Sequence, residues 1–112
     1  MKKNKFSAVR TGRFDSKGEA RRAGQLTLRE ATGLISNLSF QPKVYLTAAK
    51  LLYKPDFRYT LSTGEIIHED FKGMETPVFK LKARLWKHYG PTPLYLTRGT
   101  RGKVYKIITP ES

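Results

Sequence analysis

The chain has 112 residues, with 22 Lys and Arg against 9 Asp and Glu, for a net charge of +13. That length supports one hydrophobic core, and 38% hydrophobic with 12% aromatic residues is too much apolar content for a disordered tail. The absence of cysteine excludes a disulfide framework, a thiolate nucleophile and a cysteine-based zinc site; two histidines leave any metal to oxygen ligands, which means a hard cation.

Residues 1–13 read as a basic arm that orders on a partner, and residues 14–112 as one domain. Met1 to Phe6 is basic and polar, with no apolar stretch behind it, so no secretory leader is expected and the cytoplasm is the expected location. The longest apolar run, Val44 to Tyr53, is broken by Thr47 and Lys50 and is too short to span a bilayer. An anionic membrane surface is the weaker alternative partner, since no segment combines a basic face with a wide apolar one, and no membrane association is expected. Ser16 and Glu19 fit a capping box, opening a helix that passes through Leu26 and Ala31 and stops at Gly33. Leu34 to Leu46 reads as a connection into a short strand around Gln41-Pro42.

From Leu51 to Leu61 the pattern alternates, with Tyr53, Pro55, Phe57 and Tyr59 on one face and Lys54, Asp56 and Arg58 on the other. Ser62-Thr63-Gly64 is a turn, and Glu65 to Lys72 returns as a second strand. Thr76-Pro77 caps a second helix whose apolar positions Val78, Leu81, Leu85, Trp86 and Tyr89 form the expected core stripe before Gly90-Pro91. Pro93 to Thr97 and Lys103 to Thr109 are two further strands around the basic turn from Arg98 to Gly102. The order helix, strands, helix, strands predicts an α/β (α+β) domain with a central mixed β-sheet flanked by helices.

A charge of +13 repels itself and implies a polyanionic partner, with phosphate neutralisation and counterion release as the usual reason. On such a surface carboxylates repel the ligand unless a cation lies between, which makes the few acids informative. Asp70 and Lys72 are two apart on one strand and point to the same side about 6.5–7 Å from one another. Pairing across the Ser62-Gly64 turn brings Asp56 alongside them, so two carboxylates and one ammonium converge. Two carboxylates can hold Mg²⁺, or Mn²⁺ in its place, with positions left for water and phosphate, and a lysine adds fixed positive charge.

Pro55-Asp56 followed by Asp70-Phe71-Lys72 resembles the signature of the PD-(D/E)xK nuclease superfamily. Within it, Phe14-Asp15-Ser16-Lys17-Gly18-Glu19 and Glu69-Asp70-Phe71-Lys72-Gly73 look most like small phage proteins of that type, and the order and spacing of the acids resembles the phage Holliday-junction endonucleases. The resemblance covers residues 14 to about 89. It implies a restriction-endonuclease-like core and a glutamate from the first helix, here Glu19. It also implies a metal held by Glu19, Asp56, Asp70 and the Phe71 carbonyl, with Lys72 assisting. Lys17, Arg21 and Arg22, with Lys80, Lys82, Arg84 and Lys87, are the expected phosphate contacts.

The expected activity is Mg²⁺-dependent hydrolysis of DNA, most suitably branched DNA in phage recombination, by a homodimer presenting two sites to a two-fold junction. The rivals are a non-catalytic basic nucleic-acid binder and a nicking enzyme of mismatch-repair or homing type. Plainer roles compete at single positions. Glu19 is also a helix-cap partner, and Asp70 with Lys72 is also an ordinary ion pair. Glu69 points away by parity and reads as a surface residue or a partner of the basic helix, His68 as a solvated strand-end histidine, and Trp86 and Tyr89 as core.

Overall fold

The computed structural model describes residues 16–111, so the arm expected at residues 1–13 lies outside the described residues. Ser16 caps helix α1 (Lys17–Ala31), its hydroxyl accepting the Glu19 amide at 3.0 Å. There follow β1 (Ile35–Phe40), β2 (Val44–Tyr45), β3 (Leu52–Tyr53), β4 (Phe57–Leu61) and β5 (Ile66–Phe71). Thr76 caps α2 (Pro77–Tyr89), accepting the Phe79 amide at 3.1 Å, with proline at the first helical position where its missing N–H is harmless. The chain ends with β6 (Leu94–Arg98) and β7 (Lys103–Ile108).

The result is an α+β fold, which among the described residues has two helices, a five-stranded mixed sheet in the order β1-β4-β5-β6-β7, and a small β2–β3 hairpin. Among the described strands only β5 and β6 run parallel, with α2 as the connection between them. No helix of the described residues is long and apolar enough to cross a membrane.

Each face of the sheet carries its own core. Ala20, Ala23 and Leu26 of α1 pack on Ile35, Phe57, Tyr59 and Ile67. On the other face Phe79 and Trp86 of α2 pack with Tyr53, Leu94, Leu96 and Ile108. β5 is therefore covered on both sides, and Ile67, His68, Glu69 and Asp70 are all buried. A central strand beside a parallel neighbour is expected to be buried in this way.

Two sequence expectations are corrected. The Leu51–Leu61 alternation is not one strand: Leu52–Tyr53 pairs with Val44–Tyr45, and the main sheet begins only at Phe57. Pro55, which has no N–H to give a ladder, sits at the break, and beyond it the chain changes layers: Tyr53 packs in the α2 core and Phe57 in the α1 core. The second correction concerns α2, which turns Phe79 and Trp86 inward and leaves Val78, Leu81 and Tyr89 exposed. Its buried face is displaced around the helix by about one residue, or ~100°.

One close approach fixes how α1 meets the sheet. A Cβ on Gly18 would lie 2.5 Å from Phe71 Cε2, so the first turn of α1 can sit on the end of β5 only without a side chain there. Gly18→Ala is expected to destabilise the protein by up to about 2 kcal/mol, overpacking of ~1–3 kcal/mol set against the ~1 kcal/mol gain in helix propensity. Urea denaturation measures this, and Phe71→Leu in the same chain should restore most of the loss.

Candidate active site

The end of β5 gathers the acids named from sequence. Asp70 points into the α2 layer, where it is 2% exposed. Asp56 lies just before β4, and antiparallel pairing of Phe57 with Glu69 sets it beside Asp70. The two residues clamp each other: the Asp56 amide donates to Asp70 Oδ1 (3.3 Å), and the Phe71 amide donates to Asp56 Oδ2 (2.8 Å). Lys72 Nζ stands 3.3 Å from Asp70 Oδ2 and 4.2 Å from the centroid of the Phe79 ring. Its backbone amide continues the parallel ladder by donating to the Thr97 carbonyl at 2.8 Å.

Two carboxylates in contact, one of them fully buried, are electrostatically unfavourable. Burial first, and then the charge of Asp70, raises the Asp56 carboxyl far above the ordinary carboxylate range; Glu19 adds to the repulsion, while the Phe71 amide opposes it. A proton or a cation relieves such a pair. The donor types fit a hard divalent cation.

Glu19 is 4% exposed and near enough for its charge to act on Asp56. It approaches from the α1 layer, whereas Asp70 faces α2. Among the described residues no three Asp, Glu or His side chains are grouped so as to hold a metal ion. The structure thus brings Asp56, Asp70 and Lys72 together and leaves Glu19 at the rim of the set, across the sheet end.

Three site features escaped the sequence reading. The first is Tyr53, whose hydroxyl donates to Asp70 Oδ2 while its ring packs edge-on against Trp86 at 5.8 Å. Burial, followed by the charge of Asp70, raises its phenol above the ordinary range. The small hairpin carries this phenol to the carboxylate.

The second is Glu69. Parity correctly separates it from Asp70, but the face it points to is covered by α1, so it is fully buried rather than a surface residue. Its carboxylate receives Arg22 Nε (2.7 Å) and Nη2 (3.0 Å), the Tyr59 hydroxyl (2.6 Å) and the Thr97 hydroxyl (2.7 Å). Arg22 is 3% exposed, so its guanidinium is committed to Glu69 and is not available to a phosphate. The remaining expected contacts Lys17, Arg21, Lys80, Arg84 and Lys87 are exposed, and Lys82 is half-buried with Nζ 5.8 Å from the Tyr53 ring centroid.

The third is Tyr105, which donates to Glu75 Oε2 at 2.7 Å. Its phenol is raised by burial first, then by Glu75, with a smaller contribution from Asp70 that places it within electrostatic reach of the pair.

His68 is not solvated either. Its Nδ1 lies 2.6 Å from Thr92 Oγ1 and its ring 5.1 Å from the Trp86 ring, and burial, with Arg58, lowers its pKa to about 4. A depressed pKa stabilises the fold above the unfolded value of 6.5, and that stability is lost as the pH falls towards 4. The raised Asp56 carboxyl acts in the opposite direction over the same range, so the effect is best read in an Asp56→Asn background. There the loss should approach ~3 kcal/mol between those two values. Thermal melts should show it, and His68→Asn in the same background should abolish it.

Over residues 2–106 the chain matches the family described as "Protein of unknown function (DUF1064)", and it belongs to that family. No curated protein and no solved structure matches it.

Proposed function

We propose that this member of the DUF1064 family is a divalent-metal-dependent endonuclease of the PD-(D/E)xK type, acting on DNA with a preference for branched substrates. The observation that carries the reading is the Asp56–Asp70 contact beside Lys72. A chain with 22 cationic and 9 acidic residues has set two of those acids against each other, Asp70 buried and Asp56 half-buried. The hairpin strands β4–β5, the parallel step through α2 to β6, and α1 on the opposite face support a restriction-endonuclease-like core.

Asp56 and Asp70 would hold Mg²⁺, or Mn²⁺, with Glu19 and the Phe71 carbonyl as further donors. The ion would supply a bound water of lowered pKa and neutralise charge at the phosphate. Tyr53 fixes the orientation of Asp70, and Lys72 presents its ammonium to the attacking water or the scissile phosphate. Lys17 and Arg21 on α1, with Lys80, Arg84 and Lys87 on α2, would hold the backbone, a mode of recognition by shape rather than base sequence. A junction of two-fold symmetry calls for two such sites and hence a homodimer, which sedimentation in the presence of junction DNA would detect.

A second reading is a non-catalytic nucleic-acid binder. It is favoured by the saturation of Asp70, whose oxygens already receive Tyr53, Lys72 and the Asp56 amide. Nicking assays on four-way junction, mismatched and linear duplex DNA, with Mg²⁺ and with Asp56→Asn as control, separate the two. Cleavage by the parent alone supports the nuclease; a folded, DNA-binding protein that cuts none of them leaves the binder. Preference for mismatched or linear duplex would indicate the nicking type.

A further inference from the structure

Strand β7 departs from regular pairing at one residue. Leu96 pairs with Lys106 and Thr97 with Val104, so Tyr105 has no partner on β6. Thr97 faces Glu69 under α1, and Leu96 is buried in the α2 core. Strict alternation would send one of Tyr105 and Lys106 to each face. The bulge turns both towards the α2 layer, where Tyr105 packs against the core and meets Glu75.

Lys106 thereby joins Lys80, Arg84 and Lys87 around a groove of about 400 Å³ between α2 and β7. The three helix residues follow i, i+4, i+7 spacing and share one face. A second concavity of about 610 Å³ lies at the β6–β7 turn, lined by Arg98, Arg101 and Lys103. Tyr105 links the two: its hydroxyl holds Glu75, which lines the first groove, and its ring carries the Arg98 guanidinium 4.3 Å from the centroid. Among the described residues none of these seven cations lies within ion-pair distance of a carboxylate. Seven clustered cations against one lining carboxylate, Glu75, on two adjoining concavities are repulsive until a polyanion neutralises them.

We infer that the bulged β7 strand and the Lys80–Arg84–Lys87 face of α2 form one continuous cationic track, which seats a phosphodiester chain. The track rests on the nucleic-acid side of the function proposed above and does not depend on cleavage. It adds Lys106, Arg98, Arg101 and Lys103 to the contacts named from sequence, and it gives the Tyr105 bulge the task of joining the two grooves.

The test is fluorescence anisotropy of labelled duplex DNA and duplex RNA in EDTA, so that no metal and no cutting are involved. Three double charge reversals carry the same change in net charge: Arg84→Glu/Lys106→Glu, Arg98→Glu/Arg101→Glu, and Arg29→Glu/Lys43→Glu, the last pair lining neither groove. Each track pair should weaken binding at least about tenfold near ~0.1 M salt and flatten the log–log salt slope by about 2. The control pair should stay within about threefold of the parent. The tighter of the two nucleic acids identifies the chain that the track takes. Equal losses from all three pairs would show only a general effect of net charge and overturn the track, and a loss confined to one groove would overturn its continuity. Melting curves, together with the neutral pair Arg84→Gln/Lys106→Gln, guard against misfolding.

Discussion

Asp56→Asn should yield a protein that is more stable than its parent, binds DNA at least as well, and has lost cleavage by about 10³-fold or more, beyond ~4 kcal/mol of barrier. The substitution is nearly isosteric, and an asparagine oxygen can still accept the Phe71 amide that reaches Asp56 Oδ2 at 2.8 Å. What disappears is a carboxyl that, beside Asp70, must either hold a charge or take up a proton on folding. A raised carboxyl stabilises the fold only while protonated: its contribution is complete below the ordinary value of 3.8 and declines as the pH rises through the elevated folded value. At neutral pH the parent carries this burden, and removing it should stabilise the fold by on the order of 2 kcal/mol. A divalent ion reverses the ranking. In the parent, Mg²⁺ or Mn²⁺ at ~100 times its dissociation constant should raise stability by about 2.7 kcal/mol, and in Asp56→Asn the ion should do far less. Thermal melts with and without metal therefore test the site without relying on a correctly guessed substrate. Equal metal response in both proteins would remove the cation from the carboxylate pair.

How much of this was legible in the sequence depends on whether the determining interaction was local. Helix starts were, because Ser16 and Thr76 bind the amides of Glu19 and Phe79 three residues on, and a cap can be read within one turn. The Asp56–Asp70 contact was also legible, because a short turn at Ser62–Gly64 fixes the β4–β5 register and the register fixes which side chains meet. Parity even separated Glu69 from Asp70 correctly. What parity cannot tell is whether a face is open. Glu69 and His68 read as solvated because nothing in their own strand announces that α1 and α2 cover both sides. The role of Tyr53 was hidden for a related reason. Its strand reads as continuous with β4, and only the tertiary packing of the hairpin shows it on the other side of the sheet. The face of α2 was misjudged because apolar residues occur on two of its sides, and packing against β6 and Tyr53 selected Phe79 and Trp86 over Leu81 and Tyr89.

The buried pair that the sequence concealed should be the most sensitive point of the fold. Arg22→Met is expected to destabilise the protein by about 3–5 kcal/mol, because it leaves the Glu69 carboxylate buried without its guanidinium. Two hydroxyl donors, from Tyr59 and Thr97, would remain, but neither supplies charge. Arg22 is itself fixed at the other end, since Nη1 reaches Gln25 Oε1 at 3.1 Å and Gln25 Nε2 donates to the Thr100 carbonyl at 2.7 Å. Gly102 closes over it at a positive φ of 63°, where an added Cβ would come within 2.5 Å of Arg22 Cδ. One ion pair thus ties α1, β5 and the β6–β7 turn together. Whether the charge or the packing matters is settled by comparing Arg22→Met with Arg22→Met/Glu69→Leu. A buried pair of this kind costs little when both members become apolar and much when one is left behind. The double variant should therefore recover most of the loss in urea denaturation, while Glu69→Leu alone, with its orphaned guanidinium, should fare as badly as Arg22→Met. Loss of less than about 1 kcal/mol in either single variant would place the pair among the weakly contributing surface bridges instead.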